Sequence, residues 1–408
     1  MQDKSKSPIT IIGGTYRELC LAYIDWNHIY GSGLRALSLY QVLNYFSDIT
    51  YYSACDKVAN QIEYYYRGNN TKFKLLKSYD VKFQYEHPFR VSNIFPRPDV
   101  LYAKKKIIKA KNKNILVFGM IDADFEIEGD NVVYDPQTCV LPHLFTDSSK
   151  ANRLVYVLNM HEAIVLSGGN KIKDILDFFF DHEKCFALII KNGPFGAYLY
   201  NDKKSEPKII PLFKTPKVFS IGSGDIFTGY FSHEWFRGKS LYESALAASK
   251  AVACYSAKKG NIKDIPNGML NFGYSSLNVK GEGKVYLAGP FFNFSQRWLV
   301  NEFYHALKGE FMDVFSPLHN VGIGNAEEVT SDDIKGLNDS KVVLALMDGL
   351  DSGTLFEVGY AVAKNKKIVA YVENESEESL QMFKGTFCDI ENDFTTAIYK
   401  TCWYAYEE

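Results

Sequence analysis

The run Val342-Val-Leu-Ala-Leu-Met347 is short, wholly apolar, β-branched at its start and closed by Asp348-Gly349. That is the pattern of a strand buried on both faces of a parallel sheet. Directly after it the hydrophobic period changes. From Thr354 onward, Leu355, Val358, Ala361 and Val362 recur at helical spacing, so Asp351 to Gly353 is a strand-to-helix turn and Glu357 lies about one turn into the helix. A buried strand feeding a helix constrains the chain to an open α/β sheet, whose ligands bind at the carboxyl ends of the strands. On one reading Asp351 and Glu357 face the same crevice. On the other, Asp351 caps the helix and Glu357 is a first-turn acid favoured by the macrodipole. The stretch alone leaves both open.

The same strand-then-turn unit recurs along the chain. Ile9-Thr-Ile-Ile-Gly-Gly14, Asn114-Ile-Leu-Val-Phe-Gly119 and Asn131-Val-Val-Tyr-Asp-Pro136 are strands stopped by glycine or proline. Leu154–Leu158 leads to Asn159-Met-His-Glu162, and Ala187–Ile190 to Lys191-Asn-Gly-Pro-Phe-Gly196. Further on, Lys284-Val-Tyr-Leu-Ala-Gly-Pro290, Asp313-Val-Phe-Ser-Pro317 and Lys367-Ile-Val-Ala-Tyr371 repeat it, and Ser331 to Leu337 reads as a helix with acids in its first turn. A chain of 408 residues exceeds what one core usually supports. The expected division is 1–268, a glycine- and asparagine-rich linker over 269–283, and 284–408, each folded unit being α/β.

With 46% hydrophobic residues, 23% charged and a net charge of -2, the composition gives no reason to expect nucleic acid or an anionic membrane as partner. The basic run from Lys104 to Lys113 reads as a solvated face, and the Tyr-, Phe- and Lys-rich stretch 50–115 as packing. The seven cysteines, Cys139 among them, are odd in number and lack C-x-x-C spacing, as expected of reduced thiols in a cytoplasmic protein. The first residues lack a signal-peptide core, and no apolar run reaches membrane-spanning length.

Gly222-Ser-Gly-Asp225 opens an apolar helix that continues through Phe227, Tyr230 and Phe231. Free N–H groups at a helix start approached through glycines form an anion hole, and an aspartate beside it is placed to take a proton from an attacking hydroxyl. Standing alone, the stretch reads first as an ordinary capped helix with Asp225 at its N-terminus. Taken with Asn159-x-x-Glu162, Lys191-x-Gly193-x-x-Gly196 and the following helix from Ser240 to Lys259, residues 8 to 268 resemble the ribokinase-like (PfkB) sugar and nucleoside kinases. The resemblance implies a ribokinase-like parallel-sheet sandwich with Asp225 as catalytic base and Gly222, Ser223 and Gly224 holding the transferring phosphate. It implies that Asn159 and Glu162 organise Mg²⁺ and that Lys191 and Gly193 lie along the ATP site. The substrate face departs from the family: Glu18 stands near the usual aspartate after the first glycine pair, and Arg35 where an asparagine is usual.

Tyr286-Leu-Ala-Gly-Pro-Phe-Phe292, Asp333-Ile-Lys-Gly-Leu337 and Asp351-Ser-Gly-Thr-x-x-Glu357-x-Gly-Tyr-Ala361 follow the order and spacing of the nucleoside 2-deoxyribosyltransferases. The resemblance spans 284 to about 385 and implies a smaller flavodoxin-like open parallel sheet, with Glu357 as nucleophile oriented by Tyr286. Asp333 and Asp351 would contact the nucleobase, and Phe291 and Phe292 would wall the pocket. Members often complete the site with C-terminal residues of a neighbouring subunit, so a homo-oligomer is expected. No cofactor is implied for this half. The two resemblances together lead us to expect an enzyme of nucleoside and deoxyribose metabolism, with nucleosides, nucleobases or sugars as substrates. The alternative is a kinase-like sensing or assembly module controlling a hydrolytic glycosidase of a nucleoside monophosphate or NAD.

Overall fold

A computed structural model describes residues 8–23, 25–67, 70–137, 143–267, 272–281, 283–322 and 326–407. Cys139 and parts of the expected linker, 269–271 and 282, lie outside the described residues. The chain divides into two compact units, Met1–Thr215 with Phe219–Ser275, and Pro216–Val218 with Ser276–Glu408. Among the described residues the cysteines are free, and no helix is long and apolar enough to cross a membrane.

The first unit is built on a nine-stranded sheet in the order Lys208–Ile210, Ala197–Tyr200, Ala187–Lys191, Lys150–Asn159, Ala123–Asp135, Lys106–Phe118, Ile9–Ile12, Ile49–Cys55, Thr71–Lys77. Pairing is parallel except where Ala197–Tyr200 meets its two neighbours. Alternate residues of the central strands enter separate cores. Ile11, Val133, Val155 and Ile189 pack on one face, and Ile12, Val132, Leu154 and Leu188 on the other, because successive side chains of a strand point to opposite faces. Both faces are covered, which is why these strands read as unbroken apolar runs.

The two thirteen-residue strands Lys106–Phe118 and Ala123–Asp135 are joined by only four residues yet run parallel. A connection that short reaches roughly 18 Å, whereas thirteen extended residues run about 43 Å. The strands must therefore fold back on themselves, and the ladder skips the Lys113–Asp130 pair where they do so. As a result the start (Asp124, Phe125) and the end (Asp135) of one strand line the same cavity. A four-stranded sheet ordered Asn27–Tyr30, Tyr16–Cys20, Lys82–Tyr85, Asn93–Phe95 carries Tyr16 and Glu18. Part of the aromatic stretch read as packing builds this sheet, around Tyr16, Val81, Phe83, Leu101 and Ile121.

The second unit holds five strands, all parallel, in the order Asp313–Phe315, Lys284–Ala288, Val342–Leu346, Lys367–Tyr371, Cys388–Glu391. In sequence rank this is 2-1-3-4-5, the doubly wound order whose ligand crevice lies between the first and third strands. The helix after Asp351 runs Ser352–Ala363. The helix Ala326–Asp339 begins before Ser331, so Asp333 lies well inside it and not in its first turn.

Gly33, in the helix Gly31–Leu43, sits against the end of the first strand: a Cβ added there would lie 2.5 Å from the Gly13 carbonyl carbon. Gly33→Ala is therefore expected to push helix and strand apart at a cost of about 1–3 kcal/mol. A lowered unfolding midpoint for the first unit in a denaturant titration checks this.

Candidate functional site

In the second unit, Tyr286 stands on the first strand and is fully buried, its ring stacked 5.5 Å from Phe315. Its phenol donates to Glu357 Oε1 at 2.6 Å. Burial, followed by the Glu357 charge, drives the Tyr286 pKa far upward, so the phenol stays protonated and remains a donor. The Glu357 carboxyl is raised to about 7, chiefly by burial; the Tyr286 bond lowers it while the charges of Asp333 and Asp351 raise it. Asp333 is itself raised to about 6, by burial and then by Asp332, and its Oδ1 is buried without a hydrogen-bond partner.

Asp351 caps the helix: its Oδ2 accepts from the Thr354 N–H at 2.9 Å and from the Thr354 hydroxyl at 3.2 Å. The cap reading of this residue is thus realised in the same turn that brings its charge near Glu357, so the two readings are not exclusive. Phe291 and Phe292 stack at 5.6 Å. Their loop is held by Arg297 donating to both carbonyls at 3.1 Å and by the Gln296 side chain accepting from the Phe292 N–H at 3.0 Å. Phe292 is 74% exposed and so does not wall an enclosed pocket in this chain by itself.

In the first unit, the parallel strands Lys106–Phe118, Ala123–Asp135, Lys150–Asn159 and Ala187–Lys191 deliver Gly119, Asp135, Asn159 and Lys191 to one edge. These residues line a cavity of about 330 Å³ together with Glu18, Arg35, Glu162, Gly222, Gly224 and Asp225. Gly193 and Ser223 do not line this cavity, although Ser223 begins the helix Ser223–Phe236 and Gly222 precedes it at φ +73°. Asp225 is 8% exposed. Its Oδ2 accepts from Arg35 and its Oδ1 from the Gln137 amide. Arg35 also binds Glu18 Oε2 at 2.5 Å, and Glu18 Oε1 accepts from the Gly31 N–H at 3.0 Å.

Asn159 and Glu162 form a capping box for the helix Met160–Ser167, each side chain accepting from the other's backbone N–H at 2.8 Å. Burial and the neighbouring Asp135 raise the Glu162 carboxyl to about 7. Lys191 donates to Asp135 Oδ2 at 2.8 Å, and Thr228 donates to the same oxygen at 2.7 Å. Burial works against the Lys191 charge, but Asp135 and Glu162 outweigh it and its pKa is raised. Asp135 Oδ1 is buried with no partner.

Asp135, Gln137 and Thr228 were not among the sequence-derived site residues. The signal for Asp135 was available, since it closes a buried strand at the carboxyl edge where ligands bind. Gln137 and Thr228 have no comparable signal. Among the described residues no group of three or more His, Cys, Asp or Glu side chains forms a metal cage. Mg²⁺ here would have to rest on one or two carboxylates and a nucleotide's phosphates, which is its usual habit. The orphan oxygen of Asp135 and the high proton affinity of Glu162 fit a cation in this wall.

Two family models match this chain. Residues 95–267 match the pfkB family carbohydrate kinase model and residues 285–390 the nucleoside 2-deoxyribosyltransferase model. Both families are enzymes. No curated protein matches the chain. Among solved structures, a ribokinase from Thermotoga maritima is 16% identical, with a TM-score of 0.46 over 64% of this chain and 96% of that one. A Cryptococcus neoformans ribokinase in complex with ADP is 15% identical, with a TM-score of 0.47 over 64% and 97%. A nucleoside kinase from Methanocaldococcus jannaschii is 17% identical, with a TM-score of 0.45 over 64% and 95%.

The raised Glu357 carboxyl has a consequence for stability. Its folded pKa of about 7 exceeds the ordinary value of 4.5, so ionising it costs the folded state stability as pH rises from the lower value through the higher. Glu357→Gln is expected to raise the unfolding midpoint of the second unit at pH 8, with a smaller gain or none at pH 4.5. Paired thermal melts at the two values check it.

Proposed function

We propose that the second unit cleaves and transfers the N-glycosidic bond of 2-deoxyribonucleosides through a covalent Glu357 intermediate. The observation that carries this reading is the 2.6 Å bond from the buried Tyr286 phenol to the Glu357 carboxylate, at the crevice of a doubly wound sheet. Cleavage passes through an oxocarbenium-like state and requires a carboxylate below C1 and an acid near the leaving base. Glu357 Oε attacks C1 while the C1–N bond breaks, and the departing nitrogen takes a proton. Asp333, raised to about 6, supplies that proton or shares it with Asp351. An acceptor base then attacks C1 from the other face and gives its N–H proton to the carboxylate that protonated the first base, the Glu357–C1 ester breaks, and two inversions give net retention. Tyr286 fixes the unreacting geometry of Glu357 and limits how far burial raises its pKa. Phe291 and Phe292 offer π faces to the base. The exposure of Phe292 supports a second copy of the chain covering its ring.

We read the first unit as an ATP-binding unit of kinase type. The Gly222–Gly224 turn receives phosphate at a helix N-terminus, Lys191 lies nearby, and Asn159 and Glu162 face a cation. Bound Mg²⁺ would neutralise charge on the nucleotide's phosphates. On this reading Asp225 takes the proton of a hydroxyl on a sugar or nucleoside. Deoxyribose, released when water replaces the acceptor base in the second unit, is a candidate acceptor. A second reading has a specific observation in its favour: both oxygens of Asp225 are already engaged. It makes this unit a ligand-sensing or assembly module for the glycosidic half.

The test for the second unit is incubation of a 2-deoxynucleoside with a different free base. Exchanged nucleoside is the expected product, and release of base without exchange would instead indicate hydrolysis. Glu357→Ala is expected to abolish base release, and retention of full activity would sink the assignment. Tyr286→Phe removes the bond that lowers the Glu357 pKa. The acid limb of its pH–rate profile is therefore expected above the wild-type value of about 7, with lower activity at neutral pH.

A further inference from the structure

Arg35 is 1% exposed, and a buried arginine is tolerable only when its charge is matched. It is matched twice. One arm of the guanidinium binds Glu18 Oε2 at 2.5 Å and the other donates to Asp225 Oδ2. Burial works against the charge, but Glu18, Tyr255 and Asp225 outweigh it, so the group stays protonated. The Tyr30 ring backs it, with its centroid 5.1 Å from Cζ.

The position of the guanidinium matters more than its charge. A Cβ built on Gly222 would lie 2.2 Å from Arg35 Cζ, so the guanidinium rests directly on the glycine turn that starts the Ser223–Phe236 helix. An acceptor hydroxyl undergoing phosphorylation must stand between Asp225 and a phosphoryl group held at that turn. Arg35 fills this place from one side, and Gln137 holds the other oxygen of Asp225.

A neutral hydroxyl competes poorly for a carboxylate already in a charge-assisted pair, which is roughly twice as strong as a neutral bond. Moving Arg35 aside would also strand Glu18 and Asp225, 4% and 8% exposed, as uncompensated buried charges. Glu18 is a positioning residue in this arrangement: one oxygen anchors to the Gly31 N–H while the other holds Arg35 over the turn. We propose that Arg35 excludes hydroxyl acceptors from Asp225, so that the first unit binds ATP without transferring its terminal phosphoryl group. The inference rests on the ATP-binding reading of this cavity.

The test separates binding from turnover on the full chain. Calorimetric titration with ATP and Mg²⁺ is expected to show binding to the wild type. ADP formation with 2-deoxyribose, ribose and a nucleoside panel is expected to stay at background. Arg35→Asn is expected to gain acceptor-dependent ADP formation of at least about 10²-fold over wild type, the low end of what a general base contributes. The gain should vanish in Arg35→Asn/Asp225→Asn. Because Arg35→Asn strands two carboxylates, Glu18→Gln/Arg35→Asn, which removes one of them, is measured beside it, with circular dichroism reporting the fold of each. If neither variant folds, the wild-type measurements decide. Wild-type turnover lost in Asp225→Asn overturns the exclusion while leaving the ATP reading intact, and so does a folded, ATP-binding variant without gain. Failure of the wild type to bind ATP overturns both.

Discussion

Parallel strand pairing is the constraint from which both crevices follow. When neighbouring strands run the same way, every carboxyl end reaches one edge of the sheet, and the residue that closes each strand becomes a wall of the same cleft. In the first unit that rule gathers Gly119, Asp135, Asn159 and Lys191 from four strands into one cavity. In the second it sets the turn after Val342–Leu346 beside the strand carrying Tyr286. The fold-back of Lys106–Phe118 and Ala123–Asp135 extends the rule, since it returns the amino-terminal end of a strand to the edge that its carboxyl end already occupies.

Much of this was legible in the sequence because parallel strands covered on both faces must be apolar throughout, and the glycine or proline that ends each run marks the cleft edge. The runs at Ile9, Val342 and Lys367 become strands with nearly the expected bounds. The four-stranded sheet was not legible. Its strands are three to five residues long and, outside Tyr16–Cys20, mostly exposed or half-buried, so neither period stands out in Tyr- and Lys-rich sequence. Asp333 shows a related limit. Acids near a helix start suggest a first turn, but the helix begins at Ala326 and carries the side chain onto a partly buried face instead.

Asn159-x-x-Glu162 and Asp351 show how one residue serves local and chemical ends together. Each caps a helix, which satisfies backbone donors that would otherwise be orphaned. Capping fixes the side chain at a helix N-terminus beside the cleft, where the macrodipole favours negative charge. A structural role therefore does not count against a chemical one. It supplies the rigidity a reacting group needs, because a carboxylate already held by backbone loses little freedom when ligand arrives.

The two clefts manage buried carboxylate charge in opposite ways, and the difference bears on what each can do. Around Glu357 the neighbouring groups that act on it are a phenol and two acids. Burial is offset in part by the Tyr286 bond and otherwise by proton uptake, so the carboxyl remains basic. Around Asp225 a guanidinium shared with Glu18 compensates the buried charge directly, and Arg35 and Gln137 engage one oxygen each. A general base must hold an uncommitted lone pair at a pKa near the working pH. Glu357 is left with a phenol and two acids for neighbours, whereas Asp225 is paired with a guanidinium, although both stand at the carboxyl edge of a parallel sheet. The arginine separates the two cases, since without it Asp225 and Glu18 would be uncompensated like charges in one buried wall.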